Sequence, residues 1–214
     1  YDWHTAIEGK AANKAALQEK LGLPVSRDIP LFCVTSRITF QKGFSLIMGI
    51  MDWLLKQELQ LIILGDGDAY YVDKLKDWQR HYPKRLIFLP YNDHWQFEQL
   101  IYAGSDCLLL PSHHEPCGLN QLIAMRYGCV PIVRNVGGLN DTVTNYNPRT
   151  KRGTGFVFNS FSNIALYTAI IRAIEDFYHE PSWDALVRRD MKQATSWKIP
   201  AQKYIRLYRR ALRY

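Results

Sequence analysis

Short, wholly apolar runs alternate along this chain with longer segments whose apolar residues recur at helical spacing. The strand-like runs fall at Ile29–Thr35, Leu61–Leu64, Leu86–Leu89, Cys107–Leu110, Val130–Val133 and Gly155–Phe158. Around them the pattern predicts helices over residues 10–21, Phe44–Lys56, Tyr70–His81, Trp95–Ala103 and Gly118–Tyr127. A short helix near Leu139–Thr144 and three more at Asn163–Tyr178, Trp183–Ala194 and Pro200–Leu212 complete the series. Gly22 and Pro24 close the first helix, since neither continues one easily. Strands of four to seven residues, apolar on both faces, must be covered on both faces, and the intervening helices supply that cover. The expected fold is α/β, a doubly wound parallel sheet forming a single domain over residues 1–214.

In such sheets ligands sit outside the carboxyl ends of the strands, so the loops after strands carry the chemistry. Ser36–Lys42 places two cations, Arg37 and Lys42, five residues apart ahead of Gly43 and a helix. A guanidinium fork and an ammonium there can converge on a diphosphate, although both also read as solvated loop charges. Gly65-Asp66-Gly67-Asp68 lacks the full G-x-G-x-x-G pattern and suits a tight turn equally well. His113-His114-Glu115-Pro116-Cys117-Gly118-Leu119 sets a carboxylate just before a helix whose first amides, Gly118 to Asn120, suit an anion. Glu115 reads either as a helix N-terminal charge or as an acceptor for sugar hydroxyls; adjacent loop residues chelate a metal poorly. Gly137-Gly138 makes a second glycine-rich turn between strand and helix. Together these loops point to a nucleoside diphosphate carrying a hydroxylated group. No Walker A motif is present, and no Ser-His-Asp order stands out.

The composition, 47% hydrophobic and 22% charged, is that of a soluble globular domain with a sizeable core. It excludes a disordered tail or a disulfide-stapled miniature, and no apolar run reaches the roughly 20 residues of a spanning helix. The opening Tyr-Asp-Trp-His is not a signal peptide, and the lack of an initiator Met suggests a fragment or processed product. The net charge of +7 would ordinarily raise nucleic-acid binding. Residues 184–214, however, hold nine Lys/Arg against two Asp/Glu, while the other 183 residues hold 18 of each sign. The basicity therefore belongs to a C-terminal segment, where Tyr204, Leu207, Tyr208 and Ala211 form a helical stripe. Neither nucleic acid nor membrane is an expected partner. The four cysteines show no C-x-x-C pair, which favours a reducing compartment over disulfides or zinc.

Four strings, in order, carry a resemblance: Ser-Arg-Ile-Thr-Phe-Gln-Lys-Gly from residue 36, Glu-Pro-Cys-Gly-Leu-Asn-Gln from 115, Met-Arg-Tyr-Gly-Cys-Val-Pro-Ile-Val-Arg from 125 and Val-Gly-Gly-Leu-Asn-Asp-Thr-Val from 136. They resemble the C-terminal nucleotide-sugar domain of the glycogen and starch synthase family, with weaker matches from Gly9-Lys10 to Ser196-Trp197. The resemblance implies the Rossmann-like C-terminal half of a GT-B glycosyltransferase that retains configuration. It implies ADP-glucose as donor and the non-reducing end of an α-1,4-glucan as acceptor, with no cofactor and no metal. Arg37 and Lys42 would stabilise the growing charge on the leaving diphosphate, and Glu115 would orient the donor glucose. The loop of Cys117, Gly118, Leu119 and Asn120 would hold the distal phosphate through its amides. Tyr91 matches an aromatic that stacks on adenine, and Gly137 and Gly138 would let backbone approach the donor.

Two departures qualify the resemblance. Many related GT-B enzymes carry a second Glu eight residues after the first; Ile123 stands there, and the bacterial and plant-type synthases also lack that Glu. The family's N-terminal domain, with its Lys-x-Gly-Gly-Leu loop and most of the acceptor groove, has no counterpart in these residues. The chain by itself is therefore expected to bind ADP-glucose weakly and not to elongate glucan, its C-terminal helices from 183 onward facing that other domain. Another GT-B transferase using a different nucleotide sugar, or a non-catalytic sugar-nucleotide module, remains the alternative reading.

Overall fold

The structure is a computed structural model that describes residues 1–193 and 198–212. Six strands, β1 (Leu31–Thr35), β2 (Gln60–Leu64), β3 (Leu86–Leu89), β4 (Cys107–Leu110), β5 (Val130–Arg134) and β6 (Phe156–Phe158), pair in parallel in the order β3-β2-β1-β4-β5-β6. The chain thus winds outward from β1 in one direction, returns, and winds outward from β4 in the other. The point of reversal lies between β1 and β4, where Phe32 aligns with Cys107 and Cys33 with Leu108.

Alternate strand residues feed two cores. Phe32, Val34, Leu61, Ile63 and Leu109 pack under α2 (Phe44–Leu54), α8 (Asn163–Phe177) and α9 (Glu180–Lys192). Cys33, Ile62, Leu64, Leu108 and Val133 pack under α1 (Ala6–Lys20), α5 (Glu98–Gly104) and α6 (Asn120–Arg126). Burial on both faces explains why the strands read as continuous apolar runs. The remaining helices are α3 (Ala69–His81), α4 (Tyr91–His94), α7 (Gly137–Thr142) and α10 (Lys198–Ala211). No helix among the described residues is long and apolar enough to cross a membrane. Cys33, Cys107 and Cys129 are buried free thiols, and Cys117 is an exposed one.

Several expected boundaries move. The first strand starts at Leu31, since Pro30 has no N–H to give and only its carbonyl reaches the neighbouring strand, at Gln60; β6 starts at Phe156. The helix expected over Trp95–Ala103 opens as a 3-10 turn at Trp95–Phe97 and continues as α5, with the short α4 before it. The helix expected from Gly118 begins at Asn120, since Gly118 adopts φ +72, outside the helical region. The short helix lies over Gly137–Thr142 and α9 starts at Glu180; the expected Ala194 end and the Ser196-Trp197 match lie outside the described residues.

Helix α1 begins four residues earlier than its apolar spacing suggests, and much of its buried face is polar. Lys10, Lys14 and Gln18, one turn apart, are all buried. Lys10 Nζ donates to the carbonyls of Ser105 at 2.7 Å and Ala103 at 3.2 Å, and burial pushes this amine below its usual range. Gln18 Nε2 donates to Gln60 Oε1 at 2.8 Å.

Asp190 on α9 has no such compensation. It is fully buried, and among the described residues neither carboxylate oxygen has a hydrogen-bond partner. Burial pushes the acid well above the ordinary carboxylate range, against the smaller opposing pull of Arg189. A raised folded-state pKa means that stability falls as pH climbs from about 4 toward that raised value. Asp190→Asn is therefore expected to stabilise the domain by about 2 kcal/mol at pH 7.5, with the gain vanishing near pH 4. Thermal melts of both proteins across that pH range check it; a gain independent of pH would contradict the account.

Candidate active site at the switch between β1 and β4

The loops leaving β1 and β4 are adjacent because their strands are adjacent, and glycine brings them closer. Gly43, which opens α2, has φ +80, and a Cβ there would overlap the Pro111 carbonyl at the end of β4. The Gln41 carbonyl accepts the His113 N–H at 2.8 Å, tying the two loops again. The result is a short ion pair: Lys42 Nζ lies 2.6 Å from Glu115 Oε2, with side chains 19% and 11% exposed. Ser112 Oγ donates to the same oxygen at 3.1 Å. Among the described residues Glu115 Oε1 receives no hydrogen bond, which leaves an acceptor at the mouth of the site.

The glycine turn after β5 closes against this loop from the other side. Gly138 N–H donates to the Glu115 carbonyl at 3.1 Å. A Cβ on Gly137 would overlap the Glu115 carbonyl, and one on Gly138 the Cys117 carbonyl. Both glycines thus serve the contact between loops directly, whatever they do for a ligand. Gly118 makes the turn into α6, followed by Leu119, which is 64% exposed. Asn120 Nδ2 donates to the Thr35 carbonyl at the end of β1.

The other expected site residues lie around this centre without joining the ion pair. Arg37 is exposed, and among the described residues its guanidinium forms no ion pair. Its neighbour Ile38 is buried and pinned on both sides: its N–H donates to the Asp66 carbonyl and its carbonyl accepts the Asp68 N–H, each at 2.8 Å. A Cβ on Gly65 or Gly67 would overlap the Ser36 or Ile38 carbonyl. The Gly-Asp-Gly-Asp segment therefore braces the Arg37 loop, which is the tight-turn reading of that string. Tyr91 is half-exposed at the end of β3, its hydroxyl donating to Glu98 Oε2 at 3.3 Å. Asn92 N–H donates to Asp66 Oδ2, linking that loop to the same brace.

Three supporting residues escape sequence reasoning. Ser112 holds Glu115, as above. Arg134, at the end of β5, donates from Nε to the Ser112 carbonyl at 2.8 Å and from Nη2 to the His113 carbonyl. Its guanidinium also lies 5.6 Å from the centre of the Phe161 ring. Gln121 is fully buried and donates to the Gly118 carbonyl at 2.9 Å and to Thr142 Oγ1 at 3.1 Å, joining α6 to α7. Gln121 and Arg134 each close one of the strings that carry the resemblance, but nothing in those strings shows what either side chain holds. Among the described residues no three His, Cys, Asp or Glu side chains gather to hold a metal ion.

An all-parallel sheet in the order 3-2-1-4-5-6, with cation, carboxylate and glycine turns at its point of reversal, defines a Rossmann-like nucleotide-binding domain. Comparison with known proteins places it among the GT-B glycosyltransferases. Residues 16–194 match the family described as glycosyl transferases group 1, and the chain belongs to that family. It is 48% identical over 202 residues to the glycogen synthase of Clostridium novyi, covering 94% of this chain and 42% of that protein. It is 43% identical over 207 residues to glycogen synthase 2 of Geobacter sulfurreducens, covering 96% and 42%. The chain thus spans about two-fifths of the length of these relatives. Among solved structures, the catalytic domain of starch synthase IV from Arabidopsis thaliana, bound to ADP and acarbose, superposes with a TM-score of 0.89 and 32% identity. That match covers all of this chain and 45% of the plant domain. Sucrose-phosphate synthase from Thermosynechococcus elongatus, at 24% identity and TM-score 0.69, shares the fold.

Proposed function

We propose that this chain is the donor-binding domain of a retaining glucosyltransferase that moves glucose from ADP-glucose to the non-reducing end of an α-1,4-glucan. The Lys42–Glu115 pair at the point of sheet reversal carries the reading. In this reading the Lys42 ammonium turns from Glu115 toward the diphosphate and, with Arg37, stabilises the charge that grows as the glycosidic bond breaks. Glu115, relieved of part of its partner, accepts hydroxyl hydrogens of the donor glucose through the oxygen that is already free. The loop of Cys117 to Asn120 meets the distal phosphate with backbone amides, and Tyr91 stacks on the adenine. Cations and amides supply the electrostatics, so the reading calls for no metal. ADP rather than UDP is favoured by the nucleotide held in the plant structure.

Calorimetric competition tests the donor assignment. ADP-glucose is expected to bind this chain at least about tenfold more tightly than UDP-glucose, a difference of roughly 1.4 kcal/mol. Equal or reversed affinities would overturn it. The acceptor groove is assigned to residues beyond this chain, so the isolated chain is expected to transfer no radiolabelled glucose to glycogen.

A further inference from the structure

At the opposite end of the sheet, beside the amino ends of β1 and β4, a cavity of about 270 Å³ opens between α1, the loop before β1 and the corner joining α8 to α9. Its floor is a buried ion pair, Lys14 Nζ to Asp106 Oδ2 at 2.6 Å, the side chains 4% and 9% exposed. Asp106 Oδ2 also accepts the Leu31 N–H at 2.8 Å, whereas among the described residues Oδ1 receives no hydrogen bond. Lys14 donates once more, to the Arg27 carbonyl at 3.0 Å, which leaves one of its three N–H groups. The floor therefore presents a buried acceptor and a buried donor side by side.

The walls are aromatic. The rings of Phe177 and Trp183 meet edge-on at 5.5 Å, and Lys14 lies 4.9 Å from the centre of Phe177. Tyr178, 52% exposed, stands at the mouth. Arg27 and Glu180 approach to 3.6 Å at the rim. Three cations and four carboxylates line the cavity, but two pairs neutralise each other and Lys10 is held by carbonyls. An ionic ligand would find little net counter-charge. A neutral polyol fits better: two neighbouring hydroxyls of a pyranose ring match one adjacent donor and acceptor, and aromatic walls take the ring's C–H face.

We propose that this cavity is a second carbohydrate site, taking one or two neutral hexose units of an α-glucan. The polymer's identity rests on the function proposed above, whereas the preference for a neutral polyol rests on the cavity alone. The site lies a full strand length from the donor loops, roughly 15 Å, so a glucan held there anchors the domain without occupying the donor site.

Maltotetraose titrated calorimetrically into the chain tests this. We expect binding that saturating ADP leaves unchanged, weakened about tenfold or more by Ala11→Phe, which fills the cavity, and by the exposed change Tyr178→Ala. Both variants are expected to keep wild-type ADP affinity, which shows that they are folded; should Ala11→Phe not fold, Tyr178→Ala carries the test. Absence of maltotetraose binding while ADP binds would overturn the site and leave the donor reading intact. Maltotetraose binding that ADP displaces, or that neither variant weakens, would also overturn it. Maltotetraose binding without any ADP binding would support the site and remove the donor reading.

Discussion

Lys42→Ala is expected to weaken ADP binding to this chain by about a hundredfold, while Glu115→Gln is expected to strengthen it severalfold. The opposite signs follow from one contact. In the free site the Lys42 ammonium is engaged at 2.6 Å with a largely buried carboxylate. A diphosphate must share that ammonium with Glu115 or take it away. Removing the lysine deletes a charge-assisted hydrogen bond worth about 1.5–3 kcal/mol and leaves Glu115 as an uncompensated negative charge beside the phosphates. Removing only the negative charge of Glu115 frees the lysine and takes away the repulsion. The glutamine keeps the shape and one acceptor, but it should bind ADP-glucose no better than ADP, because the grip on the sugar proposed for the carboxylate would be gone. Calorimetry at one fixed ionic strength reads all four affinities. Equal losses of ADP affinity in both variants would mean that the pair is a structural brace rather than a diphosphate site.

Gly43→Ala should be among the most damaging single changes in the chain, at roughly 3 kcal/mol or more of lost stability. Its φ of +80 disfavours any side chain, and the added Cβ would have to displace the Pro111 carbonyl, which belongs to the end of a buried strand. The loops after β1 and β4 would part, and with them the Lys42–Glu115 contact. For a domain of this size that loss lowers the melting temperature by roughly 6–12 °C. Gly22→Ala is the internal control: Gly22 has φ +68 but nothing lies within 4 Å of its would-be Cβ, so about 1 kcal/mol is expected. A Gly43→Ala protein melting no lower than the control would show that the close approach of the two loops is not structurally required.

The doubly wound sheet was legible because its strands are buried on both faces and so could not read as amphipathic. Helix α1 was only partly legible: a face that buries Lys10, Lys14 and Gln18 contradicts apolar periodicity, and its logic lies in carbonyl and carboxylate partners about 40 to 95 residues away. Asp190 was invisible for the same reason, since sequence spacing does not show that a helix position faces a neighbour rather than water. At the site, Lys42, Glu115 and Gly138 were found by their places after strands. Their mutual contact was not, because it depends on β1 lying beside β4, a pairing that 71 intervening residues conceal. Ser112 acts on the Glu115 carboxylate and Arg134 on the loop carbonyls of Ser112 and His113, and neither partner can be read from its place along the chain.

The tie between Gln41 and His113, together with the glycines wedged against Pro111, Glu115 and Cys117, has a thermodynamic consequence. A platform whose loops are fastened to one another has little disorder left to surrender on binding a nucleotide. Its recognition would resemble a key meeting a finished lock, with a small heat-capacity change and discrimination set by fit. Any large closing motion of a longer protein containing this domain would then swing it as a rigid jaw, hinged outside the loops of the candidate site.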